Sequence, residues 1–404
     1  MNRTTIVNAR PWGDEAADIE IIDGVIAQVV PHRPDATWQG EIVDGRGRLV
    51  LPAFTDIHTH LDSSRLGLPF RSHSGAPDVW GMVMNDRANW RSAPGTAASR
   101  AIHTLELMIA RGTTKVRSYA QIDADCRLER FEAVLAAREA HRARSEVKII
   151  AFPQTGFSRE EGVIPLIEEA LASGADVMGG IDPCQLERNP IYHLDVVFGL
   201  ARKYQVEVDF HLHEPGDLCV FSVDLILERV RALGMQGKVS ISHAYSLGGV
   251  SEATTRRLIE KFAELDISMC TVAPSVSTAL PIRGLVEAGV RVGLGEDGMR
   301  DYWKPYGNAD MLDRTWQLAF TNNFSHDQDI EMCLGVATIG SASIMTPNPV
   351  SRLVRGGHQG VLVGNPADLL LLAGESPTSA VMDRPTDRTV LHQGRVVADQ
   401  LELV

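Results

Sequence analysis

The chain contains 404 residues, which exceeds the length at which a single hydrophobic core usually stops growing, so we expect more than one domain. Its composition, with 44% hydrophobic and 23% charged residues, excludes a disordered or low-complexity protein. Lysine and arginine number 39 against 52 aspartates and glutamates, and the resulting net charge of −13 argues against a general binder of nucleic-acid phosphates.

The cysteines and the N-terminus indicate the compartment. Five cysteines are an odd number and form no CxxC pair, which argues against a disulfide scaffold and a thiolate zinc site. The first twenty residues lack the apolar stretch of a signal peptide, and the most apolar run, LLLLAG from Leu369, is too short to span a bilayer. We therefore expect a soluble cytoplasmic protein that binds neither a membrane nor nucleic acid.

Both chain termini have the pattern of β-strands. Residues 1–50 include the alternating run DIEIIDGVIAQVV with an Asp-Gly turn, and residues 351–404 include GVLVGNPADLLLLAG and RTVLHQGRVVADQ. Because chain ends often lie close together, the two segments are predicted to form one small β-sandwich domain.

The middle of the chain, residues 51–350, alternates short β-branched runs with amphipathic helical segments. Eight such strand–helix units match the size and pattern of a (β/α)8 TIM-type barrel, and an open doubly wound sheet is the alternative. The eight runs are LPAFTDIHTH, TTKVRSYAQID, EVKIIAFPQTG, ADVMGGIDP, VEVDFHLHEP, KVSISHAYS, ISMCTVAPS and RVGLGEDG.

Polar residues stand at the C-terminal ends of these runs. In a barrel all of these ends meet on one face, which is where barrel enzymes place their active sites. We therefore expect the polar residues to form one site. They are His58, His60, Gln154, His211, His213, Glu214, His243, Glu296 and Asp297.

The histidines among them suit a metal ion. His58 and His60 are two residues apart on a strand, so their imidazoles lie on the same side. Imidazoles with one carboxylate suit a divalent transition metal such as zinc or iron(II), which makes water nucleophilic near neutral pH. Glu214, three residues after His211, is a candidate for moving protons.

Several motifs resemble the amidohydrolase superfamily. They are PAFTDIHTHLD, the HLHE of the fifth run, SHAYS, GLGEDG and, near the C-terminus, VGNPADLLLL. AFPQTG, GADVMGGID and DYWKPYGNADML further resemble the cytosine deaminase group, and this similarity extends over nearly the whole chain. The resemblance implies a metal-dependent hydrolase that acts on an amino-substituted nitrogen heterocycle.

Carried over to this chain, the resemblance implies a role for each candidate. The implied metal ligands are His58, His60, His211 and Asp297. Glu214 would deliver a proton to a ring nitrogen, His243 would orient the attacking hydroxide, and Asp297 would accept a proton from water. Gln154 would bind the ring and Trp303 would form a wall of the pocket.

Two other hydrolase classes fit the sequence less well. Binuclear amidohydrolases bridge their metals with a lysine on the fourth strand, and ADVMGGIDPC contains none, so one metal ion is predicted. The deaminases with a Pro-Cys-x-x-Cys motif are excluded because Glu187 stands where the second cysteine would be.

Three departures from the cytosine deaminase pattern leave the substrate open. Gly298 follows Asp297 where an acid that contacts the exocyclic amino group is expected. His213 replaces an acid, and it is either a substrate contact, a support for the ligands or a histidine satisfied at the rim. The loop APSVSTALPIRG after the seventh run is short. Apart from these three departures, Glu296 either touches substrate or has a structural role.

The sequence thus predicts a hydrolase that deaminates cytosine or a related aminopyrimidine such as isocytosine, with release of ammonia. The enzymatic alternative is hydrolysis of an N-substituted aminotriazine of the N-alkylammelide type, or of a cyclic amide. A metal-free scaffold is disfavoured because every proposed ligand is present. We expect His213 to contact substrate together with Gln154 and Trp303, and we expect a homo-oligomer, which is the tendency of the family.

Overall fold

Strands from both chain termini form one nine-stranded sheet. The computed structural model describes residues 2–73, 75–275, 279–346 and 352–404. The N-terminal strands are β1 (Arg3–Pro11), β2 (Ala17–Ile22), β3 (Val25–Pro31), β4 (Glu41–Asp44) and β5 (Leu49–Pro52). The C-terminal strands are β14 (Leu369–Leu372), β15 (Arg388–His392), β16 (Arg395–Asp399) and β17 (Glu402–Leu403).

The pairing of β14 with β5 joins the two termini. The strands are antiparallel, with Leu369 opposite Pro52 and Leu372 opposite Leu49. All four leucines of β14 are buried, which explains why this strand is a continuous apolar run instead of an alternating one. The predicted small β domain formed by both chain termini is thereby confirmed, and its strands form one mixed sheet.

The middle of the chain forms an eight-stranded parallel barrel, as predicted. Its strands pair in sequence order, and Thr59 of the first strand bridges to Asp297 after the last. An open doubly wound sheet would reverse its strand order at a switch point, so that alternative is excluded. The barrel strands are β6 (Phe54–Thr59), β7 (Thr113–Gln121), β8 (Glu146–Phe152), β9 (Val177–Ile181), β10 (Glu207–Leu212), β11 (Val239–His243), β12 (Ser268–Thr271) and β13 (Val292–Leu294).

Helices follow most of the barrel strands. In α7, for example, the Ser251 side chain accepts a hydrogen bond from the backbone N–H of Thr254, and Leu258 and Phe262 are buried one turn apart. The helices are α1 (Val79–Asn89), α2 (Ala97–Ala110), α3 (Glu129–His141), α4 (Val163–Ala172), α5 (Pro190–Tyr204), α6 (Gly216–Leu233), α7 (Glu252–Glu264), α8 (Ile282–Glu287), α9 (Met311–Thr321), α10 (Asp327–Gly335), α11 (Ser341–Met345) and α12 (Pro377–Asp383).

Two ion pairs connect the barrel to the terminal sheet. Lys115 Nζ of β7 lies 3.1 Å from Asp368 Oδ2, whose other oxygen is 2.8 Å from His392 Nδ1. Arg388 Nη1 of β15 lies 2.8 Å from Asp310 Oδ1 at the start of α9. These contacts, together with a shared hydrophobic core, hold the barrel against the sheet.

The predicted domain division at 50/51 falls just before the end of β5 at Pro52, and the barrel begins at Phe54. The division at 350/351 lies outside the described residues, as do residues 276–278 of the loop after β12. The domain boundaries therefore remain a prediction. Within the described ranges, no helix combines the length and hydrophobicity that a membrane span requires.

Candidate metal centre and active site

Four side chains converge at the C-terminal end of the barrel. His58 lies on β6 and His60 directly follows it, His211 lies on β10, and Asp297 follows β13. His58 Nε2 lies 3.6 Å and His60 Nε2 3.5 Å from Asp297 Oδ1. One potential ligand atom from each of the four residues lies within 4.8 Å of the others, so the group can hold a metal ion.

Several buried nitrogens of this cluster lack a hydrogen-bond partner among the described residues. They are both ring nitrogens of His58 and Nδ1 of His211. A buried polar atom without a partner costs about 1–3 kcal/mol, so three of them in one cluster require an explanation. A metal ion accounts for one nitrogen of each ring, because neutral imidazole nitrogens and a carboxylate are typical metal ligands. The residues present therefore fit the metal that the sequence predicts.

The protonation states agree with metal binding. Burial lowers the pKa of His60 to about 4, although the neighbouring Asp297 acts in the opposite direction. Burial and the surrounding imidazoles hold the pKa of His211 well below its usual value. Burial alone would raise the pKa of Asp297, but His58 and Lys304 bring it well below the usual range. His60 and His211 are therefore neutral and Asp297 is ionised, which are the protonation states that metal ligands require.

His243 lies at the end of β11 beside this cluster. Its ring centroid is 4.5 Å from that of His58. Nδ1 lies 2.8 Å from the hydroxyl of Tyr245, whereas Nε2 is buried and has no hydrogen-bond partner in the described part of the chain. The backbone is left-handed at both His243 (φ 70°) and Asp297 (φ 65°), a conformation that non-glycine residues rarely adopt and that is concentrated at functional sites. His243 can also combine with His211 and His213 as a second group of metal-binding geometry.

A cavity of 220 Å³ opens beside the cluster. Sites for drug-sized ligands occupy about 300–1,000 Å³, so this volume suits a small ligand such as a single substituted ring. The lining residues are His60, Ser63, Val79, Met82, Gln121, Arg130, Gln154, His211, His213, Asp297, Gly298, Asp301, Trp303 and Lys304.

His213 faces this cavity and is held by the carboxylate of Asp182, a residue with no predicted role. Asp182, directly after β9, is fully buried, and its two oxygens accept from the backbone N–H of His213 at 2.6 Å and pair with Nδ1 at 2.8 Å. Burial lowers the pKa of His213, but Asp182 outweighs it and raises that pKa above the usual value. The Asp182 carboxylate thus favours the protonated form of His213.

Glu214, the predicted proton carrier, does not line the cavity. It is fully buried, and its Oε1 accepts from the backbone N–H groups of Cys184 at 2.7 Å and Gln185 at 2.8 Å. Its Oε2 accepts from the hydroxyl of Ser222. Burial raises the pKa of Glu214. These contacts connect the carboxylate to the turn after β9 and to α6.

The remaining predicted residues divide between the cavity and its surroundings. Gln154 and Trp303 both line the cavity. Glu296 is buried away from it, and its Oε2 lies 2.9 Å from Arg314 Nη2. Of the two roles considered for Glu296, the structure therefore favours the structural one.

Several residues that line the cavity or contact its walls were not predicted from the sequence. Asp182 carried a signal, because it is a polar residue at the end of the fourth strand, like the histidines at the ends of the others. Asp301 and Lys304 belong to the same DYWKPYGNADML motif as Trp303. Val79 and Met82 carried no signal, since they belong to α1 in the long connection between β6 and β7.

A parallel barrel with imidazoles and a carboxylate gathered at its C-terminal face, beside a small cavity, defines a metal-dependent barrel enzyme. The chain belongs to the amidohydrolase family, whose model matches residues 108–398. The chain is accordingly a hydrolase that acts on C–N bonds, and the predicted superfamily is confirmed.

Three similar proteins indicate its relatives within that family. The chain is 28% identical over 396 residues to N-isopropylammelide isopropyl amidohydrolase of Pseudomonas sp. (strain ADP), covering 95% of this chain and 94% of that one. It is 36% identical to the solved N-isopropylammelide isopropylaminohydrolase of Burkholderia multivorans, with a TM-score of 0.92 and complete coverage of both chains. It is 24% identical to the 5-methylcytosine deaminase of Klebsiella pneumoniae, with a TM-score of 0.81 and 97% of each chain covered, a similarity that shows the fold alone.

Proposed function

We propose that this protein hydrolyses the exocyclic C–N bond of an N-alkylamino-substituted oxotriazine and releases an alkylamine. The observation that carries the proposal is a metal-binding cluster that opens into a 220 Å³ cavity with apolar side chains in its wall. Full-length similarity to an isopropylaminohydrolase supports the same choice of substrate. The alternative of the sequence analysis thus becomes the leading candidate.

The metal would be held by His58, His60, His211 and Asp297. When bound, a divalent transition metal such as zinc or iron(II) supplies the Lewis acidity that makes water nucleophilic at neutral pH. The ionised Asp297 can also accept a proton from that water. His243 offers its unpaired Nε2 as a hydrogen-bond partner that orients the nucleophile.

The proton for the leaving amine would come from His213. An alkylamine leaves far more readily when its nitrogen is protonated, so the reaction requires a general acid at the cavity wall. His213 lines the cavity, and Asp182 fixes its Nδ1 at 2.8 Å, which directs Nε2 toward the ligand. Glu214 lacks this access, so in this proposal it is a positioning residue.

The ring would bind between polar and apolar walls. The Gln154 carboxamide can pair with a ring carbonyl and a ring N–H, and the indole of Trp303 offers a flat apolar surface. Val79 and Met82 of α1 supply an apolar surface for the alkyl group. An apolar wall of this kind distinguishes an alkylamino substrate from one with a bare amino group.

Deamination of cytosine, isocytosine or a related aminopyrimidine is the second candidate. It is supported by Gln154, whose carboxamide can form hydrogen bonds with the ring edge of a pyrimidine as well as with that of a triazine. In that case ammonia would be the product, and Val79 and Met82 would have no substituent to contact.

The experiment that tests the proposal is a product screen with zinc- or iron-loaded protein. N-isopropylammelide, ammelide, cytosine and isocytosine are incubated separately, and isopropylamine and ammonia are quantified. We expect isopropylamine from the first compound and at most slow release of ammonia from the others. Rapid ammonia release from cytosine or isocytosine, without isopropylamine, would replace the first candidate with the second.

A further inference from the structure

One cavity carboxylate has no role in the mechanism above. Asp301 lines the cavity four residues after Asp297, together with Ser63 and Gly298. Its Oδ1 accepts from the backbone N–H groups of Trp303 at 2.8 Å and Lys304 at 3.0 Å. Two backbone hydrogen bonds on one oxygen fix the plane of the carboxyl group, so the position of the other oxygen is fixed as well.

The second oxygen, Oδ2, is only weakly satisfied. Among the described residues, its one hydrogen bond is a contact of 3.3 Å from the Ser63 hydroxyl, which is long for an O–H donor. A carboxylate oxygen can accept more than one hydrogen bond. Since Asp301 and Ser63 both line the cavity, Oδ2 is an acceptor with unused capacity at the wall.

Gly298 is what allows this arrangement. A Cβ added at Gly298 would lie 2.0 Å from Asp301 Oδ2, far inside any permissible contact. The absence of a side chain immediately after Asp297 therefore lets the carboxylate of Asp301 occupy that space, next to the metal-binding cluster. Any other residue at this position would displace Asp301 Oδ2.

We propose that Asp301 is a specificity-determining residue, whose Oδ2 accepts the N–H of the substrate's exocyclic amino group at the carbon that is attacked. The inference rests on the proposed function and names the group that the site requires of its substrate. A secondary amine –NHR has a single N–H, which one fixed acceptor satisfies. An –OR substituent presents only lone pairs, which the carboxylate repels.

Asp301→Asn separates this role from a purely structural one. The asparagine carbonyl can keep both backbone hydrogen bonds of Oδ1, which forces the NH₂ group into the position of Oδ2. The turn is preserved while the acceptor at the cavity becomes a donor. Asp44→Asn is the matched control, since Asp44 Oδ1 accepts from the backbone N–H of Arg46 at 2.8 Å on the exposed strand β4.

The probes are N-isopropylammelide and its 6-isopropoxy counterpart, which differ only in NH against O. The ratio of their kcat/KM values is measured for metal-loaded wild type and both variants at about pH 8.5, because burial raises the pKa of Asp301 to about 7. We expect the amino-to-alkoxy ratio to fall at least about tenfold in Asp301→Asn and to stay unchanged in Asp44→Asn.

Calorimetric binding constants for the same two probes give a readout that does not depend on turnover. An unchanged ratio in Asp301→Asn, with normal melting temperature and metal content, would overturn the inference while leaving the proposed function intact. If wild type bound the pair but released no amine, the proposed function would fail and the ratio of binding constants would still decide the role of Asp301. Binding of neither probe would contradict both.

Discussion

Replacing Glu214 with glutamine tests whether this carboxylate carries a proton or holds a turn. The sequence motif assigns it to proton transfer, whereas the structure buries it against Cys184, Gln185 and Ser222. In Glu214→Gln, the amide oxygen can still accept from both backbone N–H groups, and the NH₂ group can donate to the Ser222 hydroxyl, which rotates. All three contacts therefore survive as neutral hydrogen bonds.

The expected magnitudes follow from these contacts. Charged hydrogen bonds exceed neutral ones by roughly 1 kcal/mol each, but burial, which raises the pKa of Glu214, already disfavours the charge. We expect Glu214→Gln to change the free energy of unfolding by about 1 kcal/mol and kcat by less than about tenfold. Glu214→Ala would leave two buried N–H groups unpaired and cost about 2–5 kcal/mol.

The assay compares Glu214→Gln with His213→Gln, in which the neighbouring residue is also changed to glutamine. Steady-state amine release and chemical denaturation are measured for both at matched metal content. We expect His213→Gln to lower kcat by about 10²–10⁴-fold, the usual value of a general acid. The reasoning is refuted if Glu214→Gln loses kcat by that factor with unchanged stability while His213→Gln remains active.

Three further predictions concern stability, metal binding and the alkyl pocket. Burial would raise the pKa of Asp368, but His392 and Lys115 lower it from 3.8 to about 2. The ionised Asp368 therefore stabilises the fold above about pH 4, and this contribution is lost as the pH falls toward 2. Asp368→Asn should therefore lower the free energy of unfolding, measured by chemical denaturation, by about 2 kcal/mol at neutral pH and by about half that near pH 3. A difference between wild type and variant that does not change with pH would contradict this. Zinc should raise the melting temperature of the metal-stripped wild type but not of Asp297→Ala, and equal shifts would argue against Asp297 as a ligand. Met82→Ala should increase kcat/KM for alkyl groups bulkier than isopropyl relative to isopropyl by about tenfold, and an unchanged ratio would place the alkyl group elsewhere.

The barrel could be predicted from sequence because its signals are local. Each of the eight apolar runs contains one barrel strand, and the parallel arrangement then brings the strand ends to one face. That rule gathers nine polar residues, and the family resemblance selects His58, His60, His211 and Asp297 from them. The structure places these four in a metal-binding geometry. Their functional roles remain predictions.

The rest depends on contacts that no local pattern encodes. The motif containing Glu214 does not reveal that the backbone of Cys184 and Gln185, from a different strand end, captures its carboxylate. Similarly, the sequence shows only that Gly298 replaces an acid of the cytosine deaminase pattern. The fold is needed to show that the carboxylate of Asp301 occupies the space beside Gly298. The apolar wall formed by α1 likewise arises from a long connection whose path is set by tertiary packing.

The central claim is that hydrolysis at a ring carbon of an alkylamino-oxotriazine releases the amine intact. The most direct test is incubation of zinc-loaded protein with N-isopropylammelide in water enriched in oxygen-18, followed by mass spectrometry of both products. We predict equal amounts of isopropylamine and a trioxotriazine that carries one new oxygen-18 atom, and no product from Asp297→Ala. A ring-opened product, an amine still attached to the ring, or equal turnover by Asp297→Ala would contradict the account.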